Sequence, residues 1–332
     1  MWFYFLTLLY PLTAIFAFHY GYEAAYLLGM LVFVPILDLL IGRDAAPRAI
    51  DDIALSVKAA FYMPHVFLTL WAVALIAAGM RLALASPSEL SLIILCAGFL
   101  GALASVHGHE FMHRDCQHSR RAADIAFAML GYGHYTISHH LHHAKPGMQE
   151  FGSAPSRGTS VWRHLPVSIA NGFSAAWRSE KRKNGMHPLH NRVIRQTLLA
   201  AGVAAGFGAL WGIRGLILYV GQAMIAVFFI EVVGYIQHYG LRHNESDPFT
   251  LDLAWDSDYW LSNRLLINNP MHAMHHRKPM VAYTSLKPIS AMLPSSYLIL
   301  IWAALIPPLW FAVMDSRVDA VMVGTSVSTG SV

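Results

Sequence analysis

The sequence predicts an all-α integral membrane protein, about six transmembrane helices whose cytoplasmic ends carry a histidine-rich cap. Three observations lead there. Of 332 residues, 56% are hydrophobic and only 13% charged, outside the composition of ordinary soluble domains. Apolar runs suited to helices of about 20 residues, enough to cross a hydrocarbon core of about 30 Å, recur along the chain. The 19 histidines are crowded together, only His19 and His65 preceding His107.

The first run, Phe3 to Phe18, has neither a basic leader nor a small-residue cleavage site, so it is expected to be a retained helix, with Pro11 kinking it. Ala24 to Ile41, Phe61 to Leu84 and Leu90 to Val106 follow, and after a long polar interval Gln196 to Ile213 and Leu216 to Ile236 complete the six. Arg43, Arg48 and Lys58 follow the second run, and twelve Lys and Arg lie between Arg114 and Arg195. The alternate intervals carry almost none, with Arg81 and Arg214 as exceptions near helix ends. By the positive-inside rule both termini and the middle interval are cytoplasmic. A seventh apolar stretch, Tyr297 to Met314, is broken by Pro307-Pro308 and is expected to lie at the interface or re-enter. Residues 1–318 are expected to form a single domain, and the polar tail 319–332 to be disordered.

A net charge of +4 gives no basis for nucleic-acid binding. Two cysteines, Cys96 and Cys116, cannot build a disulfide framework, a four-cysteine metal site or an iron–sulfur cluster. Any electron carrier is therefore a separate protein.

The histidines begin to cluster where the fourth run ends, in VHGHEFMHRD, with His109 and His113 one helical turn apart and able to share a metal. Two boxes of the form H-x-x-H-H follow, His139, His142 and His143, then His272, His275 and His276. His238, in EVVGYIQHYGL, lies just past the sixth run; alone it is a weak signal. The expected topology puts all four elements at one depth on one side. Nine imidazoles suit two ions with four or five ligands each, and neutral nitrogen donors favour iron, zinc or copper over calcium or magnesium. Glu110 is a candidate acceptor for orienting a ligand ring. Glu231, Asp256 and Asp258 are candidates to balance the charge of an all-imidazole site, and Gln237 adjoins His238. The surplus histidines, His107, His118, His134, His140, His164, His187, His190 and His243, are expected to be interfacial or supporting groups.

The three boxes resemble those of the membrane fatty-acid desaturase and hydroxylase superfamily. GYIQHYGL, SAPSRGTSVW (153–162), AWDS (254–257) and LPSSYLILIWAALIPPLWFAVMDSRV (293–318) resemble, in order, segments of its alkane 1-monooxygenase branch. The resemblance implies a non-haem diiron centre held by His109, His113, His139, His142, His143, His238, His272, His275 and His276, with O2 as co-substrate. It implies a bacterial inner-membrane enzyme that hydroxylates the terminal carbon of medium- or long-chain alkanes or a similar apolar substrate in a channel between the helices. Electrons would come from a rubredoxin or ferredoxin and its NAD(P)H-dependent reductase. Aromatic residues of the first three spans, such as Trp71, are candidates to plug the channel. The chain departs from the branch in leaving two residues, not three, between the first histidine and the pair of the second box, and in having Gln237 and Met274 where Glu and Asp are usual. A desaturase or hydroxylase of acyl chains needs the same boxes and stays open, as do, more distantly, a metal transporter and a bis-histidine haem protein.

Overall fold

The computed structural model describes residues 2–44, 54–152, 154–242 and 253–328, and every regular element among them is helical. Arg48, Ser153, His243 and the last four positions of the expected tail lie outside the described residues. Helices long and apolar enough to cross a membrane are Trp2–Tyr20, Glu23–Ile41, Lys58–Arg81, Pro87–Met112 and Arg192–His238.

Proline shapes the first two. The opening run is a 3-10 stretch, Trp2–Leu8, that passes into α1, Leu9–Tyr20, just before Pro11. The second is α2, Glu23–Leu28, a π turn at Gly29–Phe33, then α3, Val34–Ile41, with Pro35 in its first turn. A proline withholds an N–H from the ladder, and a local change of helix type absorbs the loss. Next come α4, Ala54–Arg81, and α5, Pro87–Met112, which opens on a reciprocal capping box between Ser86 and Glu89. Helix α5 runs six residues beyond the expected apolar limit at Val106, and so carries His109 out on a rigid element.

The expected fifth and sixth runs form one element, α9, Arg192–His238, interrupted at Gly212 by a non-helical φ/ψ of 61° and −150°. The chain folds back there. The rings of Phe207 and Tyr219, twelve positions apart, have centroids only 5.7 Å from each other, whereas a straight helix would separate them by about 18 Å. At Gly215 a Cβ would lie 2.1 Å from the Phe207 carbonyl oxygen, so the close return of the second arm requires glycine.

Helix α5 is the central post. Its buried Ala97, Gly98, Leu100, Gly101 and Ala104 face the second arm of α9 and the neighbouring helices, and small residues permit that approach in a membrane, where packing replaces the hydrophobic drive. Arg81 and Arg214, the two cations that break the charge pattern, have structural partners. Arg81 lies between Glu23, at 3.2 Å, and Glu89, at 2.5 Å, and Arg214 donates to the carbonyls of Leu82 and Ala85.

The middle interval is largely helical. Helices α6, Gln117–Met129, and α7, Tyr135–Ala144, form a pair whose connecting turn packs against both α5 and α9. Tyr219 donates to the Ala128 carbonyl at 2.9 Å, Gln222 to Met129 at 2.9 Å, and Tyr132 to the Glu231 carboxylate at 2.6 Å. Tyr219, Gln222 and Glu231 are buried, and these bonds satisfy polar groups that would otherwise lack a partner. Glu231 thus serves the turn's Tyr132. Helix α8, Val161–Asn184, α10, Trp260–Leu265, and α11, His272–Arg277, complete the cap. The seventh apolar stretch breaks as expected, into α12, Tyr297–Ala304, and α13, Pro307–Ser328. Residues 319–328, expected to be disordered, continue α13, and an ion pair of Asp319 with Arg157 at 2.8 Å ties its start to the cap.

A candidate metal centre of nine histidines

Four elements bring the nine predicted histidines together: the end of α5, helix α7, the end of α9 and helix α11. They fall into two groups, His109, His113, His139, His143 and His275 in one, and His142, His238, His272 and His276 in the other. Within each group the candidate ligand atoms lie within 4.8 Å of one another. Helical periodicity divides each box. In α7 the i,i+4 pair His139 and His143 joins the first group while His142 turns to the second. In α11 the i,i+4 pair His272 and His276 joins the second while His275 turns to the first. The two-residue gap of the second box therefore gives the same division as the third, with the roles exchanged.

All nine rings present Nε2 inward. Nε2 to Nε2 distances are 2.8 Å for His109 and His139, 3.1 Å for His139 and His113, 2.9 Å for His143 and His139, and 3.1 Å for His275 and His143. In the second group they are 3.2 Å for His142 and His238 and 3.1 Å for His276 and His272. Two nitrogens each about 2.1 Å from one ion, and about a right angle apart, are themselves about 3 Å apart, so the residues fit a metal in each group. Facing lone pairs repel without a cation between them. The second nitrogen of His238 bonds the Leu253 carbonyl at 2.7 Å, which fixes its tautomer with Nε2 as the free donor atom. Sequence reasoning had no signal for Leu253.

Burial, reinforced by neighbouring rings, holds His113, His139, His142, His143, His272, His275 and His276 well below the ordinary histidine pKa. They are neutral, the form that ligates metal.

The polar candidates around the boxes have partners of their own. Glu110 pairs with Arg114 at 3.4 Å, not with a ring. Gln237 donates to the Asn269 carbonyl at 3.4 Å. Asp258 pairs with Arg43 on the surface. Asp256, fully buried, accepts from the backbone N–H of Ala273 at 2.9 Å, Ile289 at 2.7 Å and Ser290 at 3.0 Å. It anchors the start of α11, and so sets where the third box stands; it bonds no imidazole. Of the surplus histidines, His107 is buried against Thr7 and stacked on Phe67, and His140, exposed, sets its ring edge to face with that of His113 at 5.5 Å between centroids, outside both groups.

A cavity leads to both groups. Phe99, Leu103 and Val106 of α5, Phe229, Ile230 and Val233 of α9, and Leu298 and Ile301 of α12 form its walls, and it ends on His109, His139, His142, His238 and His272. Trp71 has no part in it; that ring is buried in the main core. The apolar α12 segment supplies the wall instead, and nothing in its periodicity distinguished a cavity wall from packing.

A family model described as fatty acid desaturase matches residues 85–302. The chain is 31% identical to alkane 1-monooxygenase 1 of Pseudomonas aeruginosa over 312 residues, 87% of this chain and 81% of that protein. It is 28% identical to alkane 1-monooxygenase 2 of Alcanivorax borkumensis, over 86% of this chain and 80% of that one. To the hydroxylase component of the xylene/toluene monooxygenase of Pseudomonas putida it is 23% identical, over 84% and 78%.

Proposed function

The chain belongs to the fatty acid desaturase family, and on that premise we propose that it is a membrane non-haem diiron monooxygenase that hydroxylates the terminal carbon of medium- or long-chain alkanes. The observation that carries the reading is the apolar cavity that ends on histidines of both groups. His109, His113, His139, His143 and His275 would hold one iron, and His142, His238, His272 and His276 the other. Bound iron supplies the O2-activating redox chemistry that an unactivated C–H bond requires, because such a bond offers no charge to an acid or base.

The chain's own residues do the positioning. Phe99, Leu103, Phe229, Leu298 and Ile301 exclude water and admit an extended alkyl chain end first, each buried CH2 contributing roughly 0.8 kcal/mol. Hydroxylation consumes one O2, two electrons and two protons for each alcohol and water formed. The described cysteines, Cys96 and Cys116, are free, which supports electron supply by a rubredoxin or ferredoxin with its reductase. The bacterial relatives support placement in a bacterial inner membrane, and the distribution of Lys and Arg supports the histidine cap, the N-terminus and the C-terminal helix on the cytoplasmic side.

A second reading stays within the family: the two-residue gap of the second box favours an acyl-chain desaturase or hydroxylase. Product analysis separates them. Purified protein given O2, a redoxin and its reductase should convert an alkane to the primary alcohol, and a double bond formed only in acyl chains would replace the first reading with the second.

A further inference from the structure

Beside the first histidine group, with the His140 ring 5.5 Å from that of His113, lies a cleft between α6, α7 and the start of α9, lined by Arg120, Arg121, Arg192, Arg195 and His140. Its one carboxylate, Asp124, is held by Arg192 at 3.1 Å. Arg120 reaches Asp115 at 3.5 Å, outside the cleft. Among the described residues Arg121 and Arg195 have no ion-pair partner.

Two guanidinium groups are therefore left facing one concavity, and what lies below them narrows the choice of ligand. Each stands one helical turn from an aliphatic side chain on the same face, Arg121 from Ile125 and Arg195 from Leu199, and these two also line the cleft. Ile125 is 51% exposed and Leu199 38% exposed. Leu199 lies within the apolar arm of α9, and Ile125 lies on α6 as that helix descends beside α5. On α9 the cation thus precedes the hydrocarbon at the start of a helix long and apolar enough to cross a membrane, and α6, packed beside α5, repeats that order. A soluble acidic partner would need only the polar lining of Gln117, Thr136 and Gln196; the exposed Ile125 and Leu199 beside the cations add hydrocarbon that such a partner would leave unused. Basic pockets between membrane helices on the cytoplasmic side suit anionic lipid headgroups.

We propose that the cleft binds the phosphodiester headgroup of an anionic phospholipid, with Arg121 and Arg195 on the phosphate and Ile125 and Leu199 against the first methylenes of its acyl chains. The test uses the intact protein in nanodiscs of phosphatidylcholine with increasing phosphatidylglycerol, read by native mass spectrometry and by melting temperature. Wild-type protein should retain phosphatidylglycerol in preference to phosphatidylcholine and melt higher in its presence. The Arg121→Gln/Arg195→Gln double variant should bind it about thirtyfold more weakly, the effect of two near-surface cations, while matching wild type in iron content and in melting temperature in pure phosphatidylcholine. Arg182→Gln/Lys183→Gln removes the same charge elsewhere on the same side and should leave binding unchanged. Equal weakening in that control, or none in the first variant, overturns the site. Competition by inorganic phosphate would make it a free-anion site and overturn the lipid assignment. So would a double variant that keeps the lipid but needs more redox carrier for half-maximal turnover, which would make the face a protein docking surface.

Discussion

The Nε2 atoms of His142 and His238 lie 3.2 Å apart although 96 positions separate them in the chain. One comes from a short cap helix and the other from the last turn of a membrane arm, and the Leu253 carbonyl locks the His238 ring in the orientation that makes the pair. A single histidine thus completes a group of four.

His238→Ala should lower iron from two per chain toward one and abolish turnover, because three imidazoles remain in its group while the other group keeps its five. Metal analysis of purified protein checks this. An unchanged count of two would remove His238 from the ligands.

Asp256→Asn should destabilise the cap by about 1.5–3 kcal/mol, the range for a hydrogen bond to a charged group. The backbone N–H groups it accepts from tie the start of α11, at Ala273, to the segment at Ile289 and Ser290, so iron retention should fall with stability. Iron loss on dialysis and the thermal midpoint are the measurements; a variant that melts and holds iron like wild type would show that α11 is positioned by packing alone.

The cavity prediction concerns chain length. Phe99 and Phe229 meet edge to face with centroids 5.4 Å apart. Phe229→Ala should lengthen the preferred alkane, and Leu298→Trp should shorten it, by roughly fourfold in binding for each CH2 gained or lost. Product profiles over a series of alkanes report the shift, and an unmoved optimum in both variants would mean that substrate enters elsewhere.

Acid should destabilise the protein through buried neutral histidines outside the ligand groups. His164 is 2% exposed, and burial pushes its pKa down to about 4. Between the ordinary value near 6.5 and about 4 the unfolded chain binds a proton that the folded chain refuses, so stability is present above pH 6.5 and falls as pH drops through that window. The full loss is about 3 kcal/mol by pH 4. Thermal midpoints of wild type and His164→Phe in detergent should converge as pH falls; a constant difference across the window would mean that His164 is protonated in the folded state.

How much of this was legible in the sequence depended on whether the signal was local. Apolar runs and H-x-x-H-H spacing are local, and the membrane helices, the convergence of nine histidines and the break before Pro307 followed from them. Three features depend on contacts between distant elements. The α6–α7 turn is sustained by Tyr219, Gln222 and Glu231, which look in sequence like stray polar residues in an apolar arm. Asp256 stands beside the third box, and the backbone N–H groups of Ala273 and Ile289 that its oxygens accept from could not be read from the sequence. Trp71 and Leu298 are equally apolar, and only the packing of α12 against α9 makes Leu298 the cavity wall.

The central claim is that the two histidine groups together hold the iron that drives terminal hydroxylation. Loading metal-free protein with increasing iron, and measuring primary alcohol formed from an alkane with O2, a redoxin and its reductase, tests it most directly. Product should rise until two irons are bound per chain and depend on both His142 and His143. Saturation at one iron, or binding of two irons with no alcohol formed, would contradict it.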